Sequence, residues 1–290
     1  MSKRWTDFLF IGRLACSPTF WMVVLCGLLV ASIWACDSDE SADGDSSVLG
    51  DTSSQNDTPQ PDGATLDTSN PHGDGTTYGQ VYSGGEFHLG PVDYAETKWH
   101  NACAADGGYL SEVQGAEGVL LAGVWNGLPE VASLCDACIA VETEQGKSAL
   151  LRVVTYGSTT TNGIDVSPEA YAVLDSGEYP RLMSWKLTKC PDTGPVMYEF
   201  KTGAHEWWTA FWVRNARVPL KRVEVKSVTH TSFDAISHES DGSLADYAGF
   251  GAGPFTIRLT GIDDQVIEHS FDWPSGGIGG ALLSASSNFQ

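Results

Sequence analysis

Past residue 75, apolar positions of this 290-residue chain either alternate with polar ones or form short β-branched and aromatic runs of strand length. Clusters of Gly, Pro, Asn and Asp separate these runs, which predicts a mainly β fold. Strand patterns occur in EFHLGPV, CIAVETE, ALLRVVTY, RLMSWKLT, PVMYEFKT, TAFWVRN, LKRVEVKSVT, PFTIRLTG and QVIEHSFDW. Helical spacing interrupts them near residues 118–134 and in VSPEAYAVLD, and CPDTGPV (190–196) is a predicted domain joint.

The segment EWWTAFWVRN holds three tryptophans and a phenylalanine. Strand alternation places Phe211 on one face and Trp208, Trp212 and Arg214 on the other. Because arginine prefers water, we expect this second face to be exposed. Trp207 points inward unless the strand begins after the pair or carries a bulge. Exposed aromatic rings suit the C–H faces of sugar rings, and a buried core strand is the alternative interpretation.

The N-terminus has the composition of an export signal. Residues 1–35 begin with basic residues and continue into an apolar run at 20–34, which is short for a membrane-spanning helix. The run ends at Cys36 in a context that resembles a lipobox, where a cysteine becomes lipid-modified. Ordinary cleavage or an uncleaved anchor are the alternatives. We expect a secreted or cell-surface protein that meets a membrane only through this N-terminal lipid.

Residues 36–75 contain ten acidic residues and no Lys or Arg. Such a segment cannot bury enough apolar surface to fold, so it is a predicted disordered tether. The formal net charge of the whole chain is −21, which argues against a nucleic-acid partner. Beyond residue 75, 26 acidic residues face 13 basic ones, so the part predicted to fold is acidic too.

Four cysteines lie beyond the export signal: Cys103, Cys135, Cys138 and Cys190. An oxidising compartment favours two disulfides among them. The CxxC pair could alternatively belong to a zinc or redox site, but the nearby His100 lacks a usual ligand spacing. We therefore expect no metal site here.

Asp165 is the most informative ionisable residue. It follows an Asn-Gly turn, lies in a predicted short strand at 164–166, and precedes Ser167 and Pro168, which suit a helix N-cap and first helical position. It either supports this helix start or lines a groove as a hydrogen-bonding carboxyl. A glycosidase needs a second carboxyl nearby. The preceding LRVVTYGSTTTNG offers none, which argues for carbohydrate binding without bond cleavage.

Five segments in order resemble those of bacterial expansins: TYGQVYSGGEF, CDACIAVE, GIDVSPEAY, SWKLTKCPDTGPVMYEFKTG and WWTAFWVRNARVPLKRVEV. The similarity runs from about residue 76 to the C-terminus. It implies a six-stranded double-psi β-barrel related to family-45 endoglucanases (76–191). This barrel packs on an immunoglobulin-like β-sandwich that binds carbohydrate (195–290). The implied function is binding to cellulose or another neutral β-glucan, and cell-wall loosening without hydrolysis, by a monomer that needs no cofactor.

The resemblance also implies site residues. Asp165 matches the groove carboxyl of the family's barrel, and Thr77 or Thr76 falls at its groove threonine. The predicted carbohydrate-binding residues of the sandwich are Trp207, Trp208, Tyr247 and Lys201, with Trp212 as an extension. An outward Trp207 requires a break in alternation at the tryptophan pair. The implied disulfides are Cys103–Cys135 and Cys138–Cys190.

Tyr156 departs from the family pattern, because bacterial expansins commonly carry an aspartate there. Asp165, Thr77 and Tyr156 are therefore groove candidates, and none is assigned as catalytic. Many relatives are basic, so this acidic chain should bind pectin weakly. An endoglucanase or a peptidoglycan lytic transglycosylase on the same barrel is the main rival, with peptidoglycan as the other candidate partner. An adhesin with an inert barrel is a third hypothesis.

Overall fold

A computed structural model describes residues 76–91, 102–105 and 120–290. The export signal, Cys36, the acidic tether and His100 lie outside these residues. Within the described ranges, no helix combines the length and the apolar character needed to cross a bilayer.

The first half of the described chain is a closed barrel with the strand order β1-β5-β2-β4-β3-β6. Its strands are β1 (Thr77–Leu89), β2 (Leu120–Trp125), β3 (Cys138–Thr143), β4 (Ser148–Gly157), β5 (Ile164–Val166) and β6 (Leu182–Thr188). β1 pairs in parallel with β5, and β2 in parallel with β4. The apolar side chains from these strands, with Phe87, Val124 and Trp185 among the most buried, fill the barrel.

The prediction of a helix at 118–134 is wrong over its first part. Residues 120–125 form β2, which lies between β4 and β5, and only Val131–Leu134 turn as a short 3-10 helix. A strand with neighbours on both edges and little exposed surface loses its alternation, so its apolar run resembles a buried helix.

The second predicted helix is confirmed. Helix α1 (Pro168–Leu174) starts where the capping pattern placed it, and the Ser167 hydroxyl accepts a hydrogen bond from the Ala170 amide at 3.4 Å. Leu174 is fully buried, so the helix packs its apolar side onto the barrel.

The second half is a β-sandwich of two sheets. The four-stranded sheet, ordered β10-β9-β13-β14, comprises β9 (Leu220–Lys226), β10 (Asp234–Ala235), β13 (Phe255–Gly261) and β14 (Val266–Phe271). The five-stranded sheet, ordered β11-β12-β8-β7-β15, comprises β7 (Met197–Phe200), β8 (Thr209–Arg214), β11 (Ser237–His238), β12 (Leu244–Asp246) and β15 (Leu282–Ser284). Phe211, Leu244 and Phe255 are buried between the sheets, together with Phe289 near the C-terminus. The mainly β, barrel-plus-sandwich architecture is confirmed, and 76–191 and 195–290 stay our proposed domain bounds.

Both disulfides have the predicted pairing, Cys103–Cys135 and Cys138–Cys190. They tie the CxxC segment to two places, the 102–105 segment and the residue that opens the domain joint. Three of the four cysteines are buried, and the pairing removes the CxxC from consideration as a redox or zinc motif.

The outer face of β8 was predicted to be exposed to solvent, but the structure shows it buried. Trp212 is 3% exposed and Arg214 is 0% exposed. The alternation itself was right, since Phe211 faces the sandwich core, but the barrel covers the opposite face at this end of the strand. Arg214 donates to the Cys103 carbonyl at 2.9 Å and forms an ion pair with Asp136, both on the barrel.

Candidate carbohydrate-binding surface

Trp207 stands out from the sandwich because β8 begins only after the tryptophan pair. His205 and Trp208 exchange backbone hydrogen bonds at 2.8 and 3.1 Å, which closes a turn with Trp207 at its tip. Trp207 is 67% exposed, whereas Trp208 is half-buried near His205. The predicted break in alternation at this pair is therefore present.

Tyr247 follows the end of β12, the strand that pairs with β8 in the five-stranded sheet. Ala245 in β12 pairs with Ala210 in β8, and both face away from the sandwich core. Tyr247 and Trp208 each lie two residues beyond this pair, just outside the ends of β12 and β8. Tyr247 is 71% exposed, and its hydroxyl donates a 2.9 Å hydrogen bond to Glu239. That hydrogen bond raises the pKa of Tyr247 and orients its ring.

Gly249 brings the Tyr247 loop against the Trp207 turn. Its φ is +69°, and a Cβ atom placed there would lie 2.2 Å from the carbonyl oxygen of Glu206. The Gly251 amide donates to the same carbonyl at 2.9 Å. Only glycine permits both the left-handed backbone and this approach. The sequence signal was the GFGAG run, which marks a turn but does not reveal what packs on it.

Lys201 continues this surface toward the barrel. Its Nζ lies 2.7 Å from Asp241 and 5.2 Å from the ring centroid of Trp212. The indole of Trp212 donates to the Asp241 carbonyl at 2.9 Å. Burial acts to raise the pKa of Asp241, but hydrogen bonds from Lys201 and Ser243 outweigh it and hold this pKa below its ordinary value. Trp212 thus supports the Lys201–Asp241 pair from beneath instead of widening the open surface.

Asp165 lies on the outside of the barrel wall. The ladder aligns His88, Asp165, Gly123 and Thr155 across four strands, while the neighbouring Ile164 faces the core. Because Gly123 has no side chain, β2 places no side-chain atoms beside the Asp165 carboxyl at this position. Burial raises the pKa of Asp165 above its ordinary value, against the charge of His88 and a hydrogen bond from Thr159. A half-buried carboxyl of this kind can donate or accept a hydrogen bond to a sugar hydroxyl.

Tyr156 lies where the barrel meets the sandwich. It packs between the barrel core and a small apolar cluster that includes Met197 and Leu282 from the sandwich. Burial, followed by the charge of Asp241, raises the pKa of its phenol. Tyr156 therefore stays neutral and lies at the contact between the two domains, near enough to Asp241 for its charge to act on the phenol.

Thr77 is not brought to Asp165 by the described contacts. It begins β1 opposite Thr188, whereas Asp165 pairs with His88 at the far end of the same strand. Thr77 instead lines a separate cleft together with Val81 and Trp185. The described strand pairing therefore gives no contact between Thr77 and Asp165, and the groove assignment of Thr77 stays a prediction.

Among the residues that the structure describes, no group of three or more His, Cys, Asp or Glu side chains is arranged to hold a metal ion.

The candidate surface consists of three parts, which we call the aromatic platform (Trp207, Trp208 and Tyr247), the junction (Tyr156, Lys201, Trp212 and Asp241) and the barrel groove (His88, Thr159 and Asp165). The platform was predicted from the sequence, whereas Asp241 and Glu239 carried no local signal that sets them apart from other loop acids.

No protein-family model matches the chain. It is 26% identical over 206 residues to Expansin-YoaJ of Bacillus subtilis, covering 67% of this chain and 74% of that protein. Expansin-like protein 5 of Dictyostelium discoideum is 22% identical over 169 residues, which is 55% of this chain and 69% of that protein. Expansin-like protein 6 of the same organism is 27% identical over 85 residues, which is 29% of either chain.

Solved structures show the same fold. The apo expansin of Clavibacter michiganensis superimposes with a TM-score of 0.57 at 17% identity, covering 73% of this chain and 98% of that one. A point mutant of the same expansin in complex with cellohexaose gives a TM-score of 0.57 at 16% identity, with the same coverage. Together with the sequence relatives, these structures show that the chain is similar to bacterial expansins and shares their barrel-plus-sandwich fold.

Proposed function

We propose that the protein binds β-glucan chains of cellulose on its aromatic platform and loosens polysaccharide contacts without cleaving them. The observation that carries the proposal is the pair of highly exposed rings, Trp207 and Tyr247, on two adjoining segments that meet at a close backbone contact of Gly249. Isolated exposed aromatic side chains are common, but two that are positioned by the backbone favour a ligand with flat apolar faces. The solved relative in complex with cellohexaose supports this ligand class.

The barrel groove favours binding over hydrolysis. Glycosidases use two carboxyl groups separated by about 5 to 9.5 Å. Two residues that act on the pKa of the Asp165 carboxyl are His88 and Thr159, and neither is an acid. At the position of the second acid in other bacterial expansins this chain carries Tyr156, whose raised pKa keeps it neutral. Asp165 can then hold a sugar hydroxyl while no group activates water for attack.

The acidic surface favours neutral glucans. With 26 acidic and 13 basic residues beyond residue 75, the protein repels polyuronic acids at low ionic strength. The cation of the surface, Lys201, is already paired with Asp241. We therefore expect binding to cellulose and xylan to exceed binding to pectin.

Action outside the cell fits the two disulfides, which form in oxidising compartments. Attachment through a lipid on Cys36 stays a prediction. Mass spectrometry of the mature N-terminus tests it, and an unmodified N-terminus beyond Cys36 would contradict it.

A binding and product assay across cellulose, xylan, pectin and peptidoglycan tests the proposed function. We expect the protein to sediment with crystalline cellulose, to extend clamped plant cell walls, and to release no reducing ends. Asp165→Asn should keep cellulose binding and lose wall extension, because the groove and the platform are separate. Reducing ends from β-glucan, or anhydro-muropeptides from peptidoglycan, would instead establish the rival enzymatic function.

The matched control for binding is Tyr179→Ala. Tyr179 is 77% exposed but lies on the barrel, between α1 and β6 and away from the platform. Cellulose binding that survives Trp207→Ala, or that falls equally with Tyr179→Ala, contradicts the platform.

A further inference from the structure

Arg214 is a fully buried arginine at the contact between barrel and sandwich. Its guanidinium donates to Glu199 of the sandwich at 2.7 Å and to the Cys103 carbonyl of the barrel at 2.9 Å, and it forms an ion pair with the barrel carboxylate of Asp136. Buried charges in proteins are retained when several partners satisfy them. One side chain therefore links β8, the 102–105 segment and the CxxC segment.

Asp136 is held in place by covalent bonds on both sides. It lies between Cys135 and Cys138, each of which forms a disulfide to a different segment. Its backbone is left-handed, with φ at +65°, a conformation that most residues with a side chain avoid. Its carbonyl oxygen accepts from Arg152, which is itself buried and paired with Asp192 in the domain joint. The carboxylate therefore presents a rigid acceptor to the sandwich.

We propose that Arg214 and Asp136 form a latch that fixes the orientation of the barrel relative to the sandwich, and that wall loosening depends on this orientation. The disulfide-bonded CxxC thus acts as the support of this latch. The second half of the proposal rests on the proposed function, whereas the first half does not.

The geometry explains why an arginine is needed. Nε donates to Glu199 in its own domain, and Nη1 donates toward the barrel, so the planar guanidinium spans the two domains in one fixed direction. The latch also adjoins the candidate surface, because the guanidinium carbon lies 5.1 Å from the ring centroid of Trp212. Trp212 in turn supports the Lys201–Asp241 pair, so a rotation at the latch would separate the platform from the groove.

The latch is a positioning device, so its test measures orientation directly. Spin labels are attached through azido-phenylalanine at Glu178 on the barrel and at Val266 on the sandwich of the full chain. Pulsed electron spin resonance then gives the distance distribution between them. We expect one narrow distribution for the wild type and a broadened one for Arg214→Lys and for Asp136→Asn.

The control is Arg258→Lys, which removes an arginine–carboxylate pair of similar geometry within the sandwich. Arg258 contacts Glu224 through two hydrogen bonds of 2.8 Å, away from the barrel. Its variant should keep the narrow distribution. A narrow distribution in folded Arg214→Lys and Asp136→Asn would overturn the latch. Asp136→Asn keeps the shape of the side chain and so supplies a folded test if Arg214→Lys fails to fold.

The functional half is tested by measuring binding and wall extension on the same variants. The latch variants should keep an affinity for crystalline cellulose within about twofold of wild type and lose most of the wall-extension rate. Equal losses of binding and extension, or full extension with a broadened distribution, would overturn the dependence on orientation. If the wild type itself neither binds nor loosens, the proposed function fails while the distance measurement still decides the latch.

Discussion

Trp207 and Trp212 offer a comparison of the same substitution in opposite environments, five residues apart in sequence. Trp212 is 3% exposed, donates to the Asp241 carbonyl at 2.9 Å, and lies between two cations, at 5.2 Å from Lys201 and 5.1 Å from Arg214. Truncation of a buried tryptophan costs about 3–5 kcal/mol. The lost hydrogen bond accounts for roughly 1 kcal/mol of stability, and the cation contacts for another ~1 kcal/mol, partly included in the first figure.

We therefore expect Trp212→Ala to lower the free energy of unfolding by about 4 kcal/mol, which corresponds to a fall in Tm of roughly 10 °C for a chain of this size. Trp207 is 67% exposed, so Trp207→Ala should change stability by less than about 0.5 kcal/mol. Thermal unfolding followed by circular dichroism measures the stability of both variants. Sedimentation with crystalline cellulose measures their binding.

The expected outcome is a crossed pattern. Trp207→Ala loses cellulose binding and keeps its Tm, whereas Trp212→Ala loses Tm and, at a temperature where it is folded, keeps most of its binding. A Trp212→Ala protein as stable as wild type would refute the burial argument. A Trp207→Ala protein with an equal fall in Tm would show that its ring packs on the sandwich instead of standing in solvent.

Two other predictions concern the loop that carries the platform. Gly249→Ala places a Cβ 2.2 Å from the Glu206 carbonyl at a positive φ, so it should destabilise the protein by at least ~1–2 kcal/mol and weaken cellulose binding. Denaturant unfolding measures the stability and sedimentation measures the binding. Unchanged values of both would contradict the close contact. His230 bridges Asp234 at 2.9 Å and Asp246 at 2.6 Å; burial alone would lower its pKa, but these two hydrogen bonds raise it above 6.5. Since the folded pKa is the higher one, the stabilisation is complete below pH 6.5 and disappears as pH rises through the folded pKa. The difference in Tm between wild type and His230→Gln should therefore be larger at pH 5.5 than at pH 9, and a difference independent of pH would contradict the protonated bridge.

The chain's own pattern was enough for the elements whose signals are local. The capping residues Ser167 and Pro168 set the start of α1 to the residue, because an N-cap needs only neighbours in sequence. Alternation placed Phe211 in the core for the same reason. In contrast, the apolar run at Leu120–Trp125 was predicted to be helical, and only its pairing with β4 and β5 shows that it is a strand.

The disulfide pairing needed a family resemblance, since four cysteines allow three pairings and spacing alone does not choose among them. The register shifts of β1 against β6 also had no signal in the sequence, because they depend on the pairing of two distant strands. Neither the contact between Gly249 and Glu206 nor the role of Asp241 at the junction has a signature in sequence, because each joins segments that are distant along the chain.

By itself, the sequence determined that the chain forms a mainly β protein with a helix after Asp165, and it predicted an export signal and an aromatic segment suited to sugars. Only the tertiary structure decided which side chains of that segment meet solvent. Strand alternation defines two faces but does not say what covers them, and an arginine can be buried wherever another domain supplies a carboxylate. Arg214 lies inside for that reason, and Trp212 on the same face is buried with it, while Trp207, two positions before the strand begins, remains exposed.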